Sequence, residues 1–164
     1  MALKNNIIAL NMFMEENDIP YILTGTSALA VHGLLPDGYE PHDIDIIICF
    51  GKSVNYDEVV KKLKSLQRLS GIKDANYDES KMKVFTFNVA KMNVNAFVNK
   101  EAHICSRNTY IGAFGENGAY TRILINNECV KVSSVMDILK AKFGLKRNKD
   151  YKFAKDLAST ILNL

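Results

Sequence analysis

Residues 43 to 48 read Asp-Ile-Asp-Ile-Ile-Ile. A β-branched apolar run of this kind predicts a strand. Residues i and i+2 of a strand share one side. Asp43 and Asp45 therefore project together, while Ile44 and Ile46 face the opposite side, into the core. Like charges this close repel unless a cation lies between them. Paired hard oxygen ligands suit Mg²⁺, which takes one or two carboxylates and completes its shell with water and phosphate oxygens. The run thus predicts a strand that is buried on one face and whose other face is either a metal site or a strand start with both Asp left in water.

The residues before it favour the metal site. "YILTGTSALAVHG" (21 to 33) reads as a short buried strand, a Gly25-Thr26-Ser27 turn and a small apolar helix to about Val31. Thr26 or Ser27 is expected to cap that helix and Gly33 to end it. Such a turn offers backbone N–H groups, two hydroxyls and a positive helix end, all of which bind phosphate. Residues 34 to 42 carry two prolines and a glycine and form a loop.

Elsewhere the pattern is regular. Leu3, Ile7, Ile8, Leu10 and Met14 sit at helical spacing, and Asp18 to Pro20 break the helix. "YDEVVKKLKSLQRLS" predicts an amphipathic helix with Val59, Val60, Leu63, Leu66 and Leu69 inward. Residues 82 to 98 predict two strands with a turn near Ala90 and Lys91. "YTRILINNECVKVS" predicts a second hairpin that turns at "NNE". The end reads as two helices, Ser134 to about Phe143 and about Asn148 to Leu162, separated around Gly144. This order predicts one α/β (α+β) domain over residues 1–164: a small mixed sheet flanked by helices, with C-terminal helices.

No apolar run reaches membrane-spanning length, and "MALKNNIIALNMF" lacks the core and cleavage site of a signal peptide. A cytoplasmic location and no membrane partner are the expectations. Cys49, Cys105 and Cys129 are odd in number and far apart, without zinc spacing; His103 with Cys105 has no further metal partners. The net charge of +3 makes no case for nucleic acid. Its distribution is uneven: residues 131 to 155 hold eight Lys or Arg against Asp137 and Asp150. This basic segment is either a solvated helix face or a counter-charge for a phosphorylated ligand.

Taken together, Gly25-Thr26-Ser27-Ala28-Leu29 followed by Asp43-Ile44-Asp45 resembles the nucleotidyltransferase superfamily, with its DNA polymerase beta-like palm. The tail "VSSVMDILKAKFGLKRNKDYKFAKDL" is similar to that of small members, including antibiotic-modifying and toxin–antitoxin nucleotidyltransferases; Lys142, Arg147, Lys149, Asp150 and Asp156 are the matching positions. The resemblance covers about residues 19 to 160. It implies transfer of a nucleoside monophosphate from a Mg²⁺-bound nucleoside triphosphate, a nucleotide such as ATP, to a small-molecule or protein acceptor. Asp43 and Asp45 would hold two Mg²⁺ ions, and Gly25, Thr26 and Ser27 would cradle the β/γ-phosphates. Lys142 or Lys149 would neutralise phosphate charge.

One departure stands out. Active members carry a third carboxylate on a later strand, and the matching strand here is "KMNVNAFVN". Asn95 takes that place, with Asn93 as the other candidate. An amide oxygen can coordinate a cation, but it brings no charge and cannot serve as a general base. Asp78, Glu79 and Glu101 are the possible substitutes. Tyr39 and Pro41 stand where many relatives have Arg and Thr. The enzyme reading is preferred because the turn and both first carboxylates are intact. The alternative is a catalytically impaired nucleotide-binding or regulatory module. His32 is expected to be a packed, hydrogen-bonded residue, and His42 to lie at the rim of the site.

Overall fold

The structure is a computed structural model that describes residues 2–48, 54–72, 82–99, 103–106, 109–113, 120–145 and 147–163. In chain order the elements are α1 (Ala2–Glu16), β1 (Tyr21–Thr24), α2 (Gly25–Val31), β2 (Asp43–Ile48), α3 (Tyr56–Leu69), β3 (Met82–Val89) and β4 (Met92–Asn99). There follow β5 (His103–Ser106), β6 (Thr109–Ala113), β7 (Tyr120–Ile125), β8 (Glu128–Ser133), α4 (Val135–Leu145) and α5 (Asn148–Leu162).

Six strands form one mixed sheet in the order β3-β4-β2-β1-β8-β7, and β5 with β6 forms a separate hairpin. β4, β2 and β1 are adjacent at its centre. β2 runs antiparallel to β1 and parallel to β4. The two hairpins turn where the sequence places them. Asn126 and Asn127 both adopt positive φ, as a tight two-residue hairpin turn requires and as Asn tolerates. The β5–β6 hairpin has no counterpart in the sequence reading.

Ile44, Ile46, Leu23, Val94, Ala96, Val130 and Val132 are buried on one face of the sheet, in a core that includes Ile7, Leu10 and Met14 of α1 and Val59, Val60 and Leu63 of α3. On the other face Ile47 packs with Val84, Phe97 and Ala141 of α4. β2 is thus covered along its apolar end on both faces, and its Asp43–Asp45 end is left for chemistry.

Two expectations about helices are corrected. Leu69 is 84% exposed, whereas Gln67 is 4% exposed. The reason is that α3 lies along the edge strand β3, whose outer N–H groups need acceptors. The Gln67 side-chain oxygen accepts from the Thr86 N–H at 2.8 Å, and the Ser70 hydroxyl accepts from the Asn88 N–H at 2.9 Å. Polar side chains therefore face the sheet where leucines were expected. The break between the last two helices falls at Arg147, the residue preceding α5, rather than at Gly144, which α4 contains. Ser134 caps α4 by accepting from the Asp137 N–H at 3.2 Å.

A buried polar network joins α1 to the sheet. The Tyr21 hydroxyl donates to Asn11 Oδ1 at 2.8 Å, and Asn11 Nδ2 donates to Glu15 and Glu128, each at 3.3 Å. Burial, with the charges of Glu15 and Glu128 added, raises the Tyr21 phenol well above its ordinary value. Tyr21→Phe leaves the buried Asn11 oxygen without its donor and is expected to cost about 1–2 kcal/mol of stability, read by urea denaturation. An unchanged midpoint would show that the bond contributes nothing.

Candidate active site

Four strands line up one row of side chains. β-Sheet register sets Thr24 of β1 opposite Asp45 of β2, Asp45 opposite Asn95 of β4, and Asn95 opposite Thr86 of β3. Directly opposed residues project to the same face. The two-residue turn at Ala90 and Lys91 fixes the last pairing, because it sets the hairpin register.

The centre of the row is tightly bonded. Asn95 Nδ2 donates to Asp43 Oδ2 at 3.0 Å and to Asp45 Oδ1 at 3.1 Å, and the Thr86 hydroxyl donates to Asn95 Oδ1 at 3.0 Å. An ionised carboxylate only accepts, so the amide must present its NH₂ end to the pair. Asp43 is exposed and Asp45 is half-buried. Burial raises the Asp45 carboxyl above its ordinary value. The Asn95 hydrogen bond opposes this, Asp43 adds to the rise, and Lys142 and Arg147 pull it back.

Gly25 forms the wall beside Asp45. Its φ is +67°, and a Cβ added there would lie 2.7 Å from Asp45 Oδ2. Only glycine lets the backbone come this close in this conformation. Thr24 precedes α2 as its cap residue and makes no side-chain capping bond, so neither Thr26 nor Ser27 caps the helix as expected. The buried Ser27 hydroxyl instead donates to the Asp43 carbonyl at 2.9 Å, tying α2 to the start of β2.

The last two helices bring the positive charge. Asp150 of α5 is 2% exposed, and both its oxygens accept from the Arg147 guanidinium. Lys142 of α4 lies 4.0 Å from Asp150 and 5.0 Å from the centre of the Phe153 ring. Burial lowers the Lys142 ammonium below its ordinary value, Asp150 and Asp45 raise it, and Arg147 and Lys149 lower it further. Lys142 is therefore within the field of Asp45, whereas Lys149 is exposed on the first turn of α5. Tyr39 bonds Asp156 at 2.8 Å and sets its ring edge-on to Phe153, with centroids 4.8 Å apart. The loop before β2 is thus fastened to α5.

Three solved structures share this arrangement of elements. An antigenic nucleotidyltransferase-like protein from Paracoccidioides brasiliensis matches with a TM-score of 0.52 at 16% identity, over 97% of this chain and 75% of its own. The antibiotic-resistance factor ANT(2'')-Ia matches with a TM-score of 0.55 at 13% identity, over 96% and 83%. A Thermotoga maritima protein assigned as a nucleotidyltransferase matches with a TM-score of 0.52 at 14% identity, over 92% of both chains. The fold is nucleotidyltransferase-like. No family model and no curated protein matches the sequence.

Within the nucleotidyltransferase-like fold, Gly25, Thr26, Ser27, Asp43, Asp45, Asn95 and Lys142 lie on elements that converge on the sheet's centre. Asn93 is exposed on β4 opposite Asp43. His32 packs as expected and donates from Nε2 to the Ser133 carbonyl at 2.8 Å. His42 is exposed beside Asp43. Asp78, Glu79 and Glu101 lie outside the described residues. Among the described residues no group of three or more His, Cys, Asp or Glu is placed to hold a metal. No described helix is long and apolar enough to cross a membrane. Thr86 and Gln67 were missed in the sequence. Hairpin register signals Thr86, since the turn at 90 and 91 sets it opposite Asn95; nothing local marks Gln67.

Proposed function

We propose that the chain binds a nucleoside triphosphate with Mg²⁺ at Asp43 and Asp45, and transfers the nucleoside monophosphate slowly to a small-molecule or protein acceptor. The observation that carries this reading is the convergence of Asp43, Asp45 and Gly25, with Lys142 close by, in a nucleotidyltransferase-like fold. The donor set fits the metal: two carboxylates on one face, with a cation nearby to meet phosphate. Mg²⁺ bound there would neutralise the triphosphate and stabilise the charge that builds up on its oxygens. Gly25, Thr26 and Ser27 offer backbone N–H groups to phosphate. The Ser27 hydroxyl is already spent on Asp43. Lys142 supplies charge, held in place by Asp150, and Lys149 adds to the field from the surface. Asn95 accounts for the slowness, because an amide cannot take the acceptor's proton.

A binding module without transfer is the second reading. The NH₂ end of Asn95 facing both carboxylates favours it.

Calorimetry with a non-hydrolysable triphosphate tests the shared part. Mg²⁺ is expected to tighten binding at least tenfold, and Asp43→Ala with Asp45→Ala to remove that gain, because only a cation reconciles two carboxylates with a triphosphate. Equal affinity with and without Mg²⁺ in the wild type would reject the metal site.

A further inference from the structure

We propose that Asn95 is the internal counter-group of the Asp43–Asp45 pair, its NH₂ end selected by the carboxylates and its oxygen held by Thr86, so that bare Mg²⁺ is excluded and the metal enters only with a triphosphate. The metal's place at this pair rests on the function proposed above; the counter-group role of Asn95 does not.

The argument starts from the problem the pair poses. Two carboxylates on one strand face repel and need a positive partner. One amide nitrogen meets both, at 3.0 and 3.1 Å, through its two hydrogens. This satisfies one oxygen of each acid without an ion. Hydrogen bonds with an ionised partner are about twice as strong as neutral ones. The amide is not free to drift. Its oxygen accepts from the Thr86 hydroxyl at 3.0 Å, and the Thr86 backbone is itself held by Gln67 at 2.8 Å. The five residues form one continuous chain: Gln67 positions Thr86, Thr86 positions Asn95, and Asn95 bridges the two acids.

A cation approaching this pair meets two N–H donors. It must displace both bonds or turn the amide over. Turning is chemically available, because a threonine hydroxyl donates or accepts equally well. With the amide reversed, its oxygen faces the acids' side and its NH₂ donates to Thr86. A bare hydrated Mg²⁺, which gives up water reluctantly, has little to gain from that exchange. A Mg²⁺–triphosphate brings additional contacts from its phosphates, with Lys142 and the Gly25 turn as their partners. Thr86 is accordingly a positioning residue.

The test compares thermal melting of wild type and Asn95→Asp in a chelator and in millimolar Mg²⁺, without nucleotide. The wild type should shift by less than about 2 °C. Asn95→Asp sets a third carboxylate in the row and removes the donor. It should melt roughly 5 °C or more lower in chelator and recover with Mg²⁺, the size expected where 1 kcal/mol moves Tm by about 2–4 °C. If that variant does not fold without metal, wild-type NMR decides. The Asn95 side-chain NH₂ hydrogens should exchange slowly in the metal-free protein, and faster in Thr86→Val than in Thr86→Ser. Two results overturn the proposal: equal Mg²⁺ shifts in wild type and Asn95→Asp, or Asn95 amide hydrogens that exchange as fast as those of an exposed asparagine. Calorimetry with Mg²⁺–triphosphate keeps the outcomes separate. If it binds the wild type normally while the melting shifts are equal, the counter-group idea fails and the proposed function stands. If it does not bind while the shifts differ as expected, the function fails and the counter-group stands.

Discussion

Asn95→Asp is expected to raise nucleotide transfer by roughly a hundredfold or more, the lower end of what a positioned general base contributes. In the proposed function this side chain takes the place of a third acid. It is 3.0 Å from Asp43 and 3.1 Å from Asp45, opposite Asp45 in register, and it differs from a carboxylate by one NH₂ group. The replacement adds a negative ligand and an acceptor for the nucleophile's proton. The measurement is pyrophosphate release with excess Mg²⁺ over a panel of hydroxyl and amine acceptors, with water as the background acceptor. Triphosphate affinity should move less than the rate, because Asp43 and Asp45 are unchanged. A wild type with ordinary turnover that Asn95→Asp leaves unchanged would point to an acid elsewhere, and Asp78, Glu79 and Glu101 would be the next residues to replace.

Gly25→Ala should be the most damaging small substitution at the site. Two costs combine. The backbone lies at φ +67°, where a side chain costs about 1–2 kcal/mol. The new Cβ would also press on Asp45 Oδ2 from 2.7 Å, and forced contacts of this kind typically cost about 1–3 kcal/mol. Asp45 must rotate away and give up its bond from Asn95, so Mg²⁺–triphosphate binding should be lost as well. Gly33→Ala separates the two effects. Gly33 has φ +73° and nothing within 4 Å of an added Cβ, so only the backbone cost applies and binding should persist. Chemical denaturation and calorimetry on both variants read the difference. If the two behave alike, the close approach of Gly25 to Asp45 has no energetic weight.

The fold was largely legible because its signals are local. The β-branched run at 43 to 48, the Asn-rich turn at 126 and 127 and the apolar periodicity of the first helix each announce their own element. The resemblance of the Gly25-Thr26-Ser27 and Asp43-Ile44-Asp45 segments to nucleotidyltransferases pointed to the same sheet, and strand periodicity correctly placed both acids on one face. What remained hidden depends on three-dimensional neighbours. Gln67 reads as a surface residue until α3 is laid against the edge of β3. Ser27 reads as a phosphate ligand or a cap until the Asp43 carbonyl is found beside it. Lys142 reads as one of eight basic residues until burial and Asp45 mark it out from Lys149. The β5–β6 hairpin escaped because its short, irregular pairing, with a register shift between Ile104 and Cys105, leaves no clean alternation.

The placement of β8 beside β1 has a consequence for how the protein is made. β1 is complete by residue 24, but its parallel neighbour is paired through Leu23 and Val132, more than a hundred residues later. A ribosome adding about 5–20 residues per second therefore leaves one side of β1 unpaired for roughly 5–20 seconds. During that interval the nascent chain carries Tyr-Ile-Leu-Thr as an open strand edge, the kind of template on which other chains pair. Ribosome pauses or truncations between residues 48 and 128 should accordingly favour aggregation and chaperone capture, whereas a chain released after Ser133 can close its sheet.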